Sequence, residues 1–419
     1  MNLLVRNARL LDGSVVDLHA EDGRWTRIGA ALEADAFDVL DVEGRLVTPP
    51  LVDCHLHLDA SLTAGRPRWN ESGTLIEGIH VWGELKPSLT VEDVVARARE
   101  IVKWSVAQGT LFIRAHADVS GDNDAMVRGL LQVRDEVAEL CTIQVTAFPQ
   151  DGVYARDGDE QRLEHAIKLG VDCVGGIPHY EPTSELGLLE VHRVFDLARQ
   201  YSRRIDVHCD ETDDPNSRFL EVMADDTVKH SLTGRVTASH CTAMGSYEPY
   251  YSSKLHGFLR RAGINVVVNP FANSLIQGRL DVYPKRRGFA QLKELLAAGI
   301  NVSLGNDVIM DPWYLLGRAD MVEAASLALH FTYMSGLEEI PEMLRCATER
   351  GARTLGVEDE YGLEEGKPAD LVVYDAPNAL EVLRLHPSRR WVIRRGRVVA
   401  ETTPARTTLL GEPVTFVPS

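Results

Sequence analysis

The 419 residues, 44% hydrophobic and 25% charged, have the balance of a soluble enzyme with a large core and room for an accessory unit. The 44 basic and 62 acidic residues give a formal net charge of −18, which argues against nucleic-acid and anionic-membrane partners. The six cysteines show no C-x-x-C spacing, the first residues carry no charged-then-apolar signal, and no apolar run reaches a membrane span, so a reduced, cytoplasmic protein is expected.

In chain order, residues 3–11, 14–20 and 41–47 read as short strands separated by Asp12-Gly13 and Asp22-Gly23 turns, predicting a small antiparallel sheet. The run 50–59 alternates as a strand does, so His55 and His57 project from one face. Seven more strand candidates follow at 110–116, 141–148, 172–176, 204–208, 235–240, 265–269 and 301–307. Helical patterns such as 91–107, 188–201 and 289–298 fill the gaps between them. Eight strands alternating with helices predict a (β/α)8 TIM barrel with insertions. A doubly wound sheet competes, but it does not explain why polar residues recur at the strand ends. Strands at 369–375 and 391–400 return to the style of the N-terminus. We therefore expect 1–49 and 367–419 to form one composite β-sandwich domain and 50–366 to form the barrel.

The strand ends of a barrel converge on one mouth. His55 and His57 close the first strand, His208 the fifth, His240 the sixth and Asp307 the eighth. Any one of them is more often a satisfied core residue than a ligand. Five metal-competent side chains at matching ends are much harder to assign to chance. Three imidazoles and a carboxylate suit Zn²⁺ or Fe²⁺ with a position left for water, whose pKa the ion lowers. Glu211, three residues beyond His208, lies in the mouth and can carry a proton; a helix N-terminal carboxylate is its alternative, since 210–214 is a plausible helix start. The fourth strand has no lysine to bridge two metals, so one divalent ion is expected.

These residues, with Trp69-Asn70-Glu71-Ser72-Gly73-Thr74-Leu75, Ala147-Phe148-Pro149-Gln150, Asp206-Val207-His208-Cys209-Asp210-Glu211, Thr237-Ala238-Ser239-His240, Gln277-Gly278-Arg279 and Asp311-Pro312-Trp313-Tyr314, resemble the amidohydrolase superfamily, and more narrowly the bacterial cytosine deaminases. The resemblance runs from about residue 3 to 405. It implies that His55, His57, His208 and Asp307 hold the metal and that Asp307 also takes a proton from the attacking water. It further implies that His240 orients that water and Glu211 protonates the ring nitrogen beside the carbon under attack. Gln150 would hydrogen-bond the pyrimidine amide edge, with Leu75, Phe148 and Trp313 as apolar walls. On the residues alone, Gln150 reads equally well as a loop-capping amide and Trp313 as core packing.

One position departs from the family. Its acidic pair at the end of strand 8 is here Asp307-Val308, which makes the wall beside the substrate apolar. The expected reaction is release of ammonia from cytosine or a cytosine-like cyclic amidine, with 5-methylcytosine, isocytosine and creatinine as options. The alternatives are an N-alkylammelide or s-triazine amidohydrolase and a non-catalytic scaffold. A pyrimidine-like small molecule and a homo-oligomer are the expected partners. Asp59 and Asn70-Glu71 are candidates for a lid or for plain surface loop. Arg286-Arg287 is weak as a phosphate site, His116 reads as barrel packing, and His80 and His179 stay open.

Overall fold

The computed structural model describes residues 2–33 and 38–417; Met1, 34–37 and 418–419, which fall inside the two terminal stretches expected above, lie outside the described residues. The N-terminal strands are β1 (Asn2–Arg9), β2 (Val15–Glu21), β3 (Arg24–Gly29), β4 (Asp38–Asp41) and β5 (Val47–Thr48). The first four form a sheet of order β3-β2-β1-β4. It is not wholly antiparallel, because β4 enters at the free edge of β1 and runs with it. The strand expected at 41–47 is instead split by a turn, with Glu43 at φ 55° and Gly44 at φ 74°.

The barrel strands are β6 (Leu51–Leu56), β7 (Thr110–Asp118), β8 (Thr142–Phe148), β9 (Cys173–Val174), β10 (Arg204–Cys209), β11 (Val236–His240), β12 (Asn265–Val268) and β13 (Asn301–Leu304). Each pairs in parallel with its neighbour in chain order. Nearly every residue of these strands is buried, as expected where helices cover the outside and side chains fill the inside. The ring closes beyond β13: the Asp307 amide donates to the His55 carbonyl at 2.7 Å, and the His57 amide donates to the Asp307 carbonyl at 2.8 Å. Gly305 permits that closure, since a Cβ there would lie 2.6 Å from Asn269 Oδ1 and 2.7 Å from the His55 carbonyl oxygen.

Between the strands, α1 (Leu75–Leu85) starts at Thr74 and α2 (Val91–Ala107) at Thr90, each hydroxyl accepting a backbone amide of the first turn. The helix expected at 289–298 forms only over Leu292–Ala297. After the barrel, β14 (Leu371–Tyr374), β15 (Arg389–Arg394) and β16 (Arg397–Glu401) make a second sheet of order β16-β15-β14-β5, and the final strands β17 (Thr407–Leu409) and β18 (Glu412–Val414) pair only with each other. The chain thus interleaves its ends, with β5 from the N-terminal part on the edge of the C-terminal sheet. Leu3, Val5, Leu18 and Trp25 share one apolar core with Val47, Leu371, Val373 and Ile393. All six cysteines are buried thiols.

Candidate metal centre and substrate pocket

Three strand ends bring four side chains together at the barrel mouth: His55 on β6 and His57 just beyond it, His208 on β10 and Asp307 after β13. Their ligand atoms all lie within 4.8 Å of one another. Asp307 Oδ1 is 3.5 Å from His55 Nε2 and 3.4 Å from His57 Nε2. His57 Nε2 and His208 Nε2 are 3.1 Å apart. Burial pushes all three imidazoles down, His55 and His208 well below the ordinary range, so each is neutral and offers a lone pair. Two such lone pairs at this separation repel unless a cation or a proton lies between them. Among the described residues His55 Nε2 is buried with no hydrogen-bond partner. Three neutral imidazoles and one carboxylate converging on one point are a donor set that fits a divalent ion.

The backbone is bent to achieve this. Asp307, His240 and Asp210 stand at φ 68°, 71° and 51°, in the left-handed region that non-glycine residues seldom adopt. The His240 ring is fixed by the amides of Asn269 and Asn273, each 3.1 Å from a ring nitrogen. Glu211 Oε1 is 3.2 Å from His240 Nδ1. Burial, reinforced by the charge of Asp307, raises the Glu211 carboxyl well above the usual carboxylate range. The helix-capping alternative for Glu211 belongs to its neighbour. Asp210 accepts the Phe219 and Leu220 amides, both at 3.0 Å, at the start of the helix Phe219–Lys229.

Around these groups lies a cavity of about 30 Å³, lined by His57, Leu75, Gln150, His208, Glu211, His240, Ile276, Asp307, Val308 and Trp313. Leu75, Gln150, Val308 and Trp313 thus sit where a substrate would meet them. Phe148 does not line the cavity: it is fully buried, with its ring stacked 3.9 Å from that of His208 at 16°. Among the described residues the Gln150 side chain has no hydrogen-bond partner, so it does not cap its loop. Trp313 is seated on α1 at Gly78, where a Cβ would lie 2.4 Å from the indole. Three contributors were not singled out from the sequence. Asn269 and Asn273 had a usable signal, an Asn-Pro at a strand end followed by an Asn one helical turn on. Ile276 had none, being one apolar residue at the end of the short helix Pro270–Ile276.

The rim is stitched together. Asn70 donates to the carbonyls of Thr74 and Pro312 at 2.9 Å. Arg279 donates to the Gly73 carbonyl at 2.6 Å. Glu71 is exposed, and Asp59 is buried under the rim, accepting the Asp118 amide at 2.7 Å. Arg286 is engaged by Asp281, and Arg287 lies 3.8 Å over the Tyr333 ring, so neither is poised for phosphate. A larger hollow of about 1150 Å³ lies beside α1, bordered by His80, Lys86, Asp122 and Arg156, and includes none of the groups above.

The amidohydrolase family profile matches residues 38–155 and 136–400 of the chain. The crystal structure of 5-methylcytosine deaminase from Klebsiella pneumoniae, liganded with 5-fluorocytosine, is 41% identical, with a TM-score of 0.95, covering 98% of this chain and 100% of that one. N-isopropylammelide isopropyl amidohydrolase from Pseudomonas sp. (strain ADP) is 28% identical, over 96% of this chain and 97% of its own. Pterin deaminase from Rhizobium rhizogenes is 28% identical, over 87% of this chain and 83% of its own.

Proposed function

The chain belongs to the amidohydrolase family and is a hydrolase acting on C–N bonds, and from that premise we propose that it deaminates 5-methylcytosine or a closely similar 5-substituted cytosine. The observation that carries this reading is Val308, buried beside Asp307 in a wall shared with Leu75, Ile276 and Trp313. An apolar wall there offers a 5-methyl group a buried contact that the C5–H of cytosine does not reach. The similarity to 5-methylcytosine deaminase supports the same choice.

His55, His57, His208 and Asp307 would hold one Zn²⁺ or Fe²⁺. When bound, such an ion lowers the pKa of a coordinated water and so supplies a nucleophile near neutral pH. Gln150, whose amide is free within the protein, pairs with the amide edge of the ring and orients it. Asp307 takes a proton from the attacking water, and His240, clamped by Asn269 and Asn273, steers that water. As the C4–O bond forms, Glu211 gives its proton to the adjacent ring nitrogen. Asp307 then passes the water's proton to the exocyclic nitrogen, the C4–N bond breaks and ammonia leaves, while the new C4–OH returns a proton to Glu211 as it becomes the carbonyl.

The test is ammonia release by zinc- or iron-loaded protein against cytosine, 5-methylcytosine, isocytosine, creatinine and N-isopropylammelide, with isopropylamine assayed for the last. The expected result is a preference for 5-methylcytosine over cytosine. Amine release from the ammelide alone would move the protein to the activity named for its Pseudomonas relative, and silence on all five with metal bound would sink the proposal.

A further inference from the structure

Beneath the metal centre the barrel interior holds a chain of polar groups that touches no substrate. Asp206 on β10 is fully buried, and both of its oxygens are engaged. Oδ2 accepts Arg114 Nη1 at 2.8 Å, and Oδ1 accepts the Ser239 hydroxyl at 2.8 Å. Ser239 Oγ in turn stands 3.0 Å from His55 Nδ1. A serine hydroxyl has one proton, and Asp206 takes it. The Ser239 oxygen can then only accept, so the proton of the neutral His55 ring must sit on Nδ1. That leaves the lone pair on Nε2, the atom facing Asp307.

His55, His116 and Asp206 also have ligand atoms within 4.8 Å of one another. The Arg114 guanidinium, itself fully buried against Asp206, already fills the cationic place in that cluster, and a second ion beside it would meet like charge. His116 lies flat against His55, with ring centroids 3.9 Å apart at 30°. The cluster is therefore built to hold a ligand rather than to be one.

We propose that Ser239, oriented by the Arg114–Asp206 pair, is a positioning residue that fixes the tautomer of His55 and thereby sets the affinity of the metal centre. The proposal rests on the reading of His55 as a metal ligand. Partners of this kind are typically worth about 10–100-fold in metal affinity.

Zinc affinity, measured on the full-length metal-free protein by competition with a chromophoric chelator, tests this without using turnover. Ser239→Ala is expected to weaken zinc binding by about 10–100-fold, and Ser239→Thr, which keeps the hydroxyl, to stay within about threefold of the parent. Thermal unfolding of the metal-free variants checks that each is folded. Unchanged affinity in Ser239→Ala, or equal loss in the Ala and Thr variants, overturns the proposal. His55→Ala separates the two levels. If it abolishes tight zinc binding while Ser239→Ala does not, only the role of Ser239 falls. If His55→Ala also binds zinc normally, the metal reading falls with it.

Discussion

In the proposed reaction, Val308 and Glu211 are where single side chains carry the most chemical consequence. Val308→Asp would set a carboxyl against Leu75, Ile276 and Trp313 in a cavity of about 30 Å³. A methyl group in or out of an apolar pocket is worth about 10–200-fold in kcat/KM. The variant should therefore shift the ratio of kcat/KM for 5-methylcytosine over cytosine toward cytosine by about that factor; an unmoved ratio would remove Val308 as the specificity residue. Glu211→Gln keeps the size and loses the proton, with an expected fall in kcat of about 10²–10⁴-fold. Because Glu211 lies outside the group His55, His57, His208 and Asp307, metal content per chain should stay at the parent value. A variant that kept full kcat would show that the proton comes from elsewhere. His55, His57, His208, His240 and Asp307 were legible because strand periodicity and barrel topology put each at a strand end, whereas Asn269 and Asn273, which hold His240, were not singled out. The resemblance implies Phe148 as a wall; in the structure it ends β8 with its ring stacked on that of His208. One-dimensional spacing does not distinguish the two faces of a strand end.

At the scale of elements, the loop after β13 turns on Asp311, which is fully buried and whose Oδ1 accepts the amides of Trp313 at 2.9 Å and Tyr314 at 3.0 Å. This turn presents Trp313 to the cavity. Burial pushes the Asp311 carboxyl from 3.8 up to about 8, so the folded protein holds a proton that the unfolded chain has released. Folded Asp311 thus lowers stability progressively as pH rises through that window, with no difference below it and no further fall above it. Asp311→Asn keeps the acceptor and cannot titrate. Urea unfolding at pH 5, 7 and 9 should show the variant gaining on the parent up to about pH 8; parallel curves would mean that Asp311 is ionised in the fold. Elements were legible to different degrees for physical reasons. Barrel strands are buried apolar runs between turn residues, and 91–107 has both a capping threonine and a full helical stripe, matching α2 end to end. β13 was read three residues too long because Asp307 leaves the extended region at φ 68°, a bend imposed by ring closure rather than by local sequence.

Across the whole molecule, chemistry and stability occupy opposite ends of the barrel. The metal-competent groups sit at the C-terminal ends of the strands, while the interleaved β domain grips the N-terminal ends. Arg394 of β15 donates to Thr142 Oγ1, the first residue of β8, at 2.8 Å, and Arg389 donates to the Gln108 carbonyl just before β7 at 3.1 Å. Arg389 also binds the Asp320 carboxylate beneath the helix Met321–Phe331. Within the β domain, β14 pairs with β5 through Val372–Thr48 and Val373–Val47, so the C-terminal segment completes a sheet begun before the barrel. Ending the chain after residue 366 would strip Leu371, Val373 and Ile393 from the shared core and leave β5 without its partner strand. Each large buried aliphatic side chain is worth about 2–5 kcal/mol against truncation, and a domain's net stability is about 5–15 kcal/mol in total. The loss is therefore expected to exceed what the barrel can absorb, giving an insoluble or unfolded chain rather than a modest drop in Tm. Co-expression with a separate 367–419 segment should restore soluble protein if the interleaved sheet is what is missing. A 1–366 chain that unfolds at the temperature of the full protein would show instead that the barrel stands without its second sheet. The apolar residues Leu3, Val5, Leu18 and Trp25, which the segment covers, would then have to find another cover.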